Sequence, residues 1–170
     1  IKLYLAKLNH SQLSEDEKER SSELATIAHS LETTADAIGT GLVEQARLLN
    51  AEHLTFSEDG LKDVEDFHDR VLSNAHLALN VLMTGAPDPA RQLLRAKEKV
   101  RTAEQTLQEK HLERLRSGLK ESFETSRMHQ ESLRILKNVN AGFAIIGYRI
   151  AARSGDLLST RLSKKPKTGQ

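Results

Sequence analysis

The sequence contains no cysteine among its 170 residues, which excludes disulfide bonds, cysteine-ligated zinc and thiol catalysis, and fits a reducing compartment. Aromatic residues are scarce, at 4% with no tryptophan, so any hydrophobic core must consist mainly of aliphatic side chains. Only three prolines occur, which leaves long stretches free to form helices. No apolar run approaches the roughly 20 residues of a membrane span, and no signal peptide is visible.

Positive and negative side chains are almost balanced, with 25 lysines and arginines against 24 acidic residues and a net charge of +1. A chain with so little net charge has no bulk field to attract nucleic acid or anionic lipid, so nucleic acid is not a predicted partner. Residues 164–167 near the C-terminus are locally basic. We interpret them as a solvated tail, with a weak membrane-surface contact as the alternative.

Apolar residues spaced three or four apart predict four long helices, and no segment has the alternation typical of a strand. The capping-box pattern of Ser14 and Glu17 predicts the start of the first helix, which Gly39 and Gly41 interrupt. We predict helices over residues 14–53, 58–83, 88–116 and 121–153. Ser57 is expected to cap the second helix and residues 84–87 to end it, and Asp88 is expected to cap the third helix with Pro89 as its first residue. Long helices joined by short loops are typical of an all-α antiparallel bundle.

The same spacing predicts which residues face the core. In the first helix the inner stripe would comprise Leu24, Ile27, Leu31, Ala35, Ile38, Leu42, Ala46 and Leu49. Asn74 and Asn140 interrupt apolar stripes of the second and fourth helices, and His111 and His129 lie close to such stripes. We therefore expect a polar layer inside the bundle, with a ligand site as the alternative.

Two carboxylates in the first helix, Glu32 and Asp36, form a candidate metal site. Residues four apart share a helix face, so both side chains can point at one ion or one cationic partner. Carboxylate oxygens suit Mg, Mn, Fe or Zn. Two ligands are too few, so the others would have to come from another helix or from water. The alternative is a solvated helix face.

No catalytic constellation is apparent, and we predict that the chain is not an enzyme. Glu65 and His68 have the Glu-x-x-His spacing of di-iron carboxylate bundles, but that site needs two such pairs, and none of the other six histidines follows a glutamate by three residues. His68 is expected to be half-buried and hydrogen-bonded. No base is predicted beside the hydroxyls of Thr125 and Ser126.

The segment from Leu31 to Asp36 and several other landmarks resemble the PhoU-like domain at the C-terminus of bacterial sodium/phosphate cotransporters. PhoU proteins are two copies of a three-helix bundle, and the last helix of each copy carries a signature like Leu-Glu-Arg-Ile-Gly-Asp. Leu31, Glu32 and Asp36 match this signature, whereas the residues between Glu32 and Asp36 differ from it. The other landmarks are, in order, residues 1–8, 56–61, 67–74, 101–104, 111–118, 122–129 and 133–140.

The resemblance implies a bundle of one full three-helix repeat and the last helix of a truncated first repeat. The remnant of the first repeat would occupy residues 1–53, beginning with the end of a helix from a longer protein. The second repeat would occupy residues 54–155, and residues 156–170 would form a flexible tail. The helix at 14–53 would pack on the second repeat or pair with another copy in a homodimer.

The two repeats are not equivalent under this resemblance. In the second repeat Lys137 and Ala141 stand where the signature has its glutamate and aspartate. A lysine in a carboxylate site would repel a cation, so a metal is expected only at Glu32 and Asp36.

The resemblance also implies a function, that of a non-catalytic regulatory domain modulating phosphate uptake or homeostasis by a sodium-dependent transporter. Its partner would be the membrane domain of the same polypeptide. Its location would be the cytoplasmic face of the cell membrane, with the fragment itself soluble and without a membrane span. One alternative is a free PhoU-type adapter that regulates an ABC phosphate importer and its sensor kinase. A purely structural helical dimerisation module is another.

Overall fold

The computed structural model describes residues 3–4, 13–153, 157–158 and 161–162, which are mostly helical. The elements are α1 (Glu15–Asp36), a π-helical segment (Ala37–Leu42), α2 (Val43–Ala51), α3 (Glu58–Thr84), α4 (Pro87–Arg116), α5 (Lys120–Glu124) and α6 (Ser126–Arg153). The helices pack against one another as a bundle, which confirms the predicted all-α fold class. The predicted tail at 156–170 and the predicted helix end at 1–8 lie largely outside the described residues.

A short antiparallel ladder follows the last helix. Strand β1 (Leu157–Leu158) pairs with strand β2 (Arg161–Leu162), with Leu157 opposite Leu162. The expectation that no strand would form is therefore wrong at this point. Two-residue strands are too short to contribute much to stability, so the ladder leaves the fold class unchanged.

Capping residues lie at the helix starts and ends that the sequence predicts. The Ser14 hydroxyl accepts a hydrogen bond from the Glu17 amide, and the Glu17 carboxylate accepts one from the Ser14 amide, which completes the capping box. Ser57 accepts from the Gly60 amide at the start of α3. Gly85 follows α3 in the left-handed conformation, with φ of 62°, where a side chain would be strained.

The start of α4 differs from the prediction. We expected Asp88 at the cap with Pro89 as the first helical residue, but the helix begins at Pro87 and its cap is Ala86. Proline suits the first position because its missing amide would have no helical partner there. Pro87 satisfies this rule as well as Pro89, and the sequence offered no signal to choose between them.

The hydrophobic core runs along α3, α4 and α6, in two clusters. The first cluster surrounds Phe67, which is fully buried, and the second surrounds Val81 and Ile146 and also takes in Ile27 of α1. α6 contributes to both clusters and contacts α1, α3 and α4. It is therefore the central helix of the bundle, and α1 packs on the second predicted repeat rather than standing apart from it.

Towards the end of α1, the face that it turns to α6 is small and polar. Ser30 donates a hydrogen bond to the Gly142 carbonyl at 3.0 Å, and Thr34 lies directly against Gly142. The predicted stripe is therefore wrong in part, because Ala35, Ile38 and Ala46 are exposed. Small side chains let the two backbones approach closely. The predicted stripe was defined by apolar residues alone and therefore omitted Ser30 and Thr34.

The π-helical segment is a second reason why the predicted inner stripe of the first helix is partly wrong. It contains Gly39 and Gly41, the two glycines predicted to interrupt the helix. Its wider turns depart from the 3.6-residue period on which the stripe was built. Gly41 contacts the Ile135 side chain, so this glycine permits a close neighbour, whereas Gly39 faces open space.

No helix among the described residues is long and apolar enough to cross a membrane.

We expect Gly142→Ala to weaken the docking of α1 on α6, because its new Cβ would collide with the Thr34 hydroxyl. Overpacking of this kind costs about 1–3 kcal/mol of unfolding free energy, measurable by urea denaturation. Gly39→Ala is the matched control and should cost nothing, since no atom lies near its Cβ. Adding Thr34→Ala to Gly142→Ala should recover much of the loss. Equal stability of Gly142→Ala and the unaltered chain would contradict this packing.

Candidate functional site

The predicted metal ligands Glu32 and Asp36 lie on the solvent-exposed side of α1. The Glu32 side chain is 60% exposed, and its carboxylate lies 3.7 Å from Nδ1 of His29. Asp36, the last residue of α1, is exposed as well. Among the described residues, no group of three or more histidine, aspartate or glutamate side chains is placed to hold a metal. The two carboxylates alone do not make a ligand set, and metal binding here stays a prediction.

The corresponding position in the predicted second repeat carries a charge that is paired. Lys137 donates to the buried carboxylate of Glu104 at 2.8 Å, and Gln108 donates to the same oxygen at 2.9 Å. The Glu104 side chain is only 7% exposed, so this pairing satisfies a charge that burial would otherwise penalise. The lysine therefore has a structural partner on α4, which sequence spacing did not indicate.

A buried polar cluster lies where the start of α3, the end of α4 and the start of α6 meet. We call it the polar cluster and define it by Asp63, His111, Arg114, Ser126 and His129. Its members come from three helices, because each helix places a polar residue on its inner face in this layer. The predicted polar layer around His111 and His129 is thereby confirmed, and both side chains are almost fully buried.

An ion pair is the strongest interaction of the polar cluster. Arg114 Nη1 lies 2.7 Å from Asp63 Oδ2, and their side chains are 11% and 9% exposed. Lys110 adds a second contact to the other carboxylate oxygen at 3.2 Å. A hydrogen-bonded pair this well buried joins α3 to α4 and leaves neither charge unpaired.

The two histidines of the polar cluster stack on each other, with ring centroids 4.7 Å apart and planes 12° from parallel. The Arg114 guanidinium donates to Nε2 of His129 at 3.3 Å. Because a guanidinium can only donate, this nitrogen must be the acceptor, and the proton of neutral His129 sits on Nδ1. The Phe56 ring packs edge-on against His129 at 5.8 Å and helps to exclude water.

Both histidines are held neutral at ordinary pH. Burial lowers the pKa of His129 to about 4, with further lowering from His111 and Arg114, while Asp63 and the Gly60 carbonyl oppose the shift. Burial also lowers the pKa of His111, assisted by Arg114 and opposed by Asp63. A desolvated imidazole beside a guanidinium resists protonation, so the polar cluster is an uncharged stack next to one compensated ion pair.

A serine and a histidine meet within hydrogen-bonding distance in the polar cluster. Ser126 Oγ lies 2.8 Å from Nε2 of His111, which corrects the expectation that no base stands beside this hydroxyl. The contact joins the end of α4 to the start of α6, so spacing could not reveal it. Among the described residues, His111 Nδ1 is buried without a hydrogen-bond partner, so no third group orients this imidazole as it would orient a catalytic base.

Other polar residues singled out from the sequence fall in two different environments. Asn74 donates to Asn140 at 2.8 Å, so the two asparagines that interrupt apolar stripes pair with each other across α3 and α6. His68 was expected to be half-buried, which is wrong, since its side chain is 53% exposed and contacts the neighbouring Asp69. Glu65 and Asp69 are exposed, as expected.

Comparison with known proteins adds an independent observation. The chain is 34% identical over 150 residues to a protein of Salmonella typhimurium (strain LT2) named putative inorganic phosphate export protein YjbB. Its identity to the protein of the same name from Escherichia coli (strain K12) is 32%. Each match covers 88% of this chain and 28% of the relative, so the chain spans little more than a quarter of these relatives. No family model and no solved structure matches the chain.

The depressed pKa of His129 predicts a pH dependence of stability. His129 takes up its proton near pH 6.5 in the unfolded chain but only near pH 4 in the folded chain. The free energy of unfolding is therefore greatest above pH 6.5 and falls as the pH decreases from 6.5 to 4. The loss should reach about 3 kcal/mol at most.

Urea denaturation between pH 7 and pH 4 measures this effect, with His129→Gln as the test and His76→Gln, at an exposed position, as the control. The slope of stability with pH should decrease in His129→Gln and persist in His76→Gln. Identical slopes in the two variants would show that His129 is not buried in its neutral form.

Proposed function

We propose that this chain is a non-catalytic regulatory bundle that modulates the movement of inorganic phosphate across a membrane. The observation that carries the proposal is the similarity, over 88% of the chain, to proteins named for inorganic phosphate export. The finer resemblance to PhoU-like C-terminal domains of sodium/phosphate cotransporters, read from the landmarks in the sequence, supports the regulatory role.

The proposed direction of transport is export. The resemblance implies phosphate uptake or homeostasis, whereas the relatives are named for export. Coupling to sodium is an expectation from the resemblance, and the relatives' names do not mention it. In this proposal the chain acts on phosphate efflux, and sodium dependence is measured rather than assumed.

The proposed partner is the membrane domain of the same polypeptide, with the chain at the cytoplasmic face. A protein that exports phosphate needs a membrane-spanning part. The matched segment is 28% of each relative, so it is one part of a larger protein there. This favours a domain fused to a transporter over the alternative of a free adapter for an ABC importer and its sensor kinase.

A regulatory rather than catalytic role fits the chemistry of the polar cluster. Its ion pair is compensated, its histidines are neutral, and the Ser126–His111 contact has no orienting group. Such a bundle would act by docking through a helix face, with the ligand state shifting the docked population. The resemblance suggests metal as one such ligand, but Glu32 and Asp36 alone are an incomplete set, so no step of the proposal depends on it.

We expect that removing the matched segment from the Escherichia coli (strain K12) relative will change phosphate efflux and that inserting this chain in its place will restore it. The measurement is the rate at which radiolabelled phosphate leaves preloaded cells that lack other phosphate exporters, in sodium and in potassium medium. A matched control inserts this chain carrying Gly142→Ala and Asp63→Asn, which should weaken the fold and fail to restore regulation.

Efflux unaffected by removal of the segment, with the shortened protein present in the membrane at equal abundance, would contradict a regulatory role. Efflux abolished by removal and not restored by this chain would also contradict the proposal.

A further inference from the structure

We propose that the end of the bundle opposite the polar cluster binds a phosphate-class oxyanion in an arginine-lined cavity. The inference rests on the proposed function only for the choice of phosphate among oxyanions; the site itself follows from geometry and charge. The cavity lies between α1, the turn that joins α3 to α4, and the end of α6. It has a volume of about 660 Å³ and we call it the arginine cavity, defined by Arg20, Glu23, Arg149 and Arg153.

The balance of charge distinguishes this cavity from the other large cavities among the described residues. Among the described residues that line it, three are arginines and one, Glu23, is acidic. The cavities beside Asp63 and beside Lys137 are lined by acidic and basic residues in near-equal numbers or with an acidic excess. In a protein with a net charge of only +1, a local excess of two positive charges around one opening is a site for an anion.

Glu23 positions two of the arginines without saturating them. Its side chain is 8% exposed, and its Oε2 lies 3.4 Å from Arg20 Nη1 and 3.6 Å from Arg153 Nη1. These are long, single-point contacts rather than the paired hydrogen bonds of a bidentate complex. Each guanidinium has five donors, so most remain free to bind an anion. The two side chains are about half exposed, which leaves their outer donors accessible.

Arg149 and Arg153 lie four residues apart on α6 and therefore on the same face of the helix. Like charges at this spacing destabilise a helix, and one acidic side chain shared with Arg20 compensates them only in part. A bound dianion would relieve this repulsion. Apolar residues form the walls of the cavity, among them Ile27, Leu82 and Ile150, and they strengthen any charge interaction inside it.

The chemistry of the donors selects the class of ligand. Planar guanidinium groups match the oxygen geometry of phosphate and bind it in a bidentate manner, which lysine does not. The cavity is larger than one phosphate ion, so inorganic phosphate and a phosphoanhydride such as pyrophosphate both fit, and they share the phosphoryl oxygens that the arginines would bind. Inorganic phosphate is the probe to use first, and pyrophosphate is the second arm of the test.

The test is a titration of the full chain with inorganic phosphate at constant ionic strength, followed by the NMR signals of the arginine side chains. We expect saturable binding, at least about tenfold weaker in Arg149→Gln, which corresponds to about 1.4 kcal/mol. Arg47→Gln is the matched control, since Arg47 is 74% exposed on α2, pairs with the nearby Glu44 and lies outside the arginine cavity. It should bind as the unaltered chain does. Pyrophosphate binding tighter than phosphate would identify a phosphoanhydride as the ligand.

A linear, unsaturable response to phosphate, or equal weakening by Arg149→Gln and Arg47→Gln, would overturn the inference, because either result would indicate general screening by salt. The outcome is separable from that of the efflux experiment. If the segment regulates efflux but the chain does not bind phosphate, the arginine cavity is not an anion site and the proposed function still stands. Saturable phosphate binding that Arg149→Gln weakens, together with no effect of the segment on efflux, would support the anion site and refute the proposed function.

Discussion

The buried ion pair between Asp63 and Arg114 is the interaction on which one whole end of the bundle depends. It joins α3 to α4, and through the contact of Arg114 with His129 it reaches α6. Removing Asp63 would leave the Arg114 charge buried without a carboxylate, and removing Arg114 would leave Asp63 with only the longer contact to Lys110. An uncompensated buried charge is among the more costly defects in a protein interior. The stacked histidines lie next to this pair and stay neutral because the guanidinium and their burial oppose protonation. The polar cluster therefore fixes how the three helices meet.

The two ends of the bundle differ in a way that bears on function. At the end with the polar cluster, the charges of Asp63 and Arg114 are paired and the two histidines are neutral. The opposite end keeps an open, positively charged cavity between α1 and α6. Glu23 of α1 contacts both Arg20 and Arg153, so the packing of α1 on α6 places Arg20 in the same cavity as Arg149 and Arg153. Docking of α1 thus couples the fold to the proposed ligand site.

Local signals predicted much of this structure. The capping box at Ser14, the cap at Ser57 and the end of α3 near Gly85 could be predicted directly, because each depends on a few adjacent residues. The burial of His111, His129 and Asn140 also followed from helical periodicity. The inner face of α1 did not, because Ser30 and Thr34 face α6 through small polar side chains that an apolar stripe omits.

The contacts that define the candidate sites could not be predicted from the sequence, for a different reason. Ser126 with His111, and Lys137 with Glu104, are pairings between helices whose relative rotation no local pattern specifies. The arginine cavity combines residues from opposite ends of the sequence, and only the packing of α1 brings them together. His68 was misplaced because it lies one residue beyond a core position, and a small rotation of α3 turns it to solvent.

A double-mutant cycle on Asp63 and Arg114 tests whether this buried ion pair holds the three helices together. The unfolding free energies of Asp63→Asn, Arg114→Met and the double variant are measured in urea. We expect a coupling energy of about 2 kcal/mol or more, because Asp63→Asn leaves the Arg114 charge buried without a carboxylate and Arg114→Met leaves Asp63 with only the longer contact to Lys110. The exposed pair of Lys120 and Glu124 provides the comparison, and its coupling should stay below about 0.5 kcal/mol. Equal coupling in the two pairs would contradict the claim that the buried ion pair holds the three helices together.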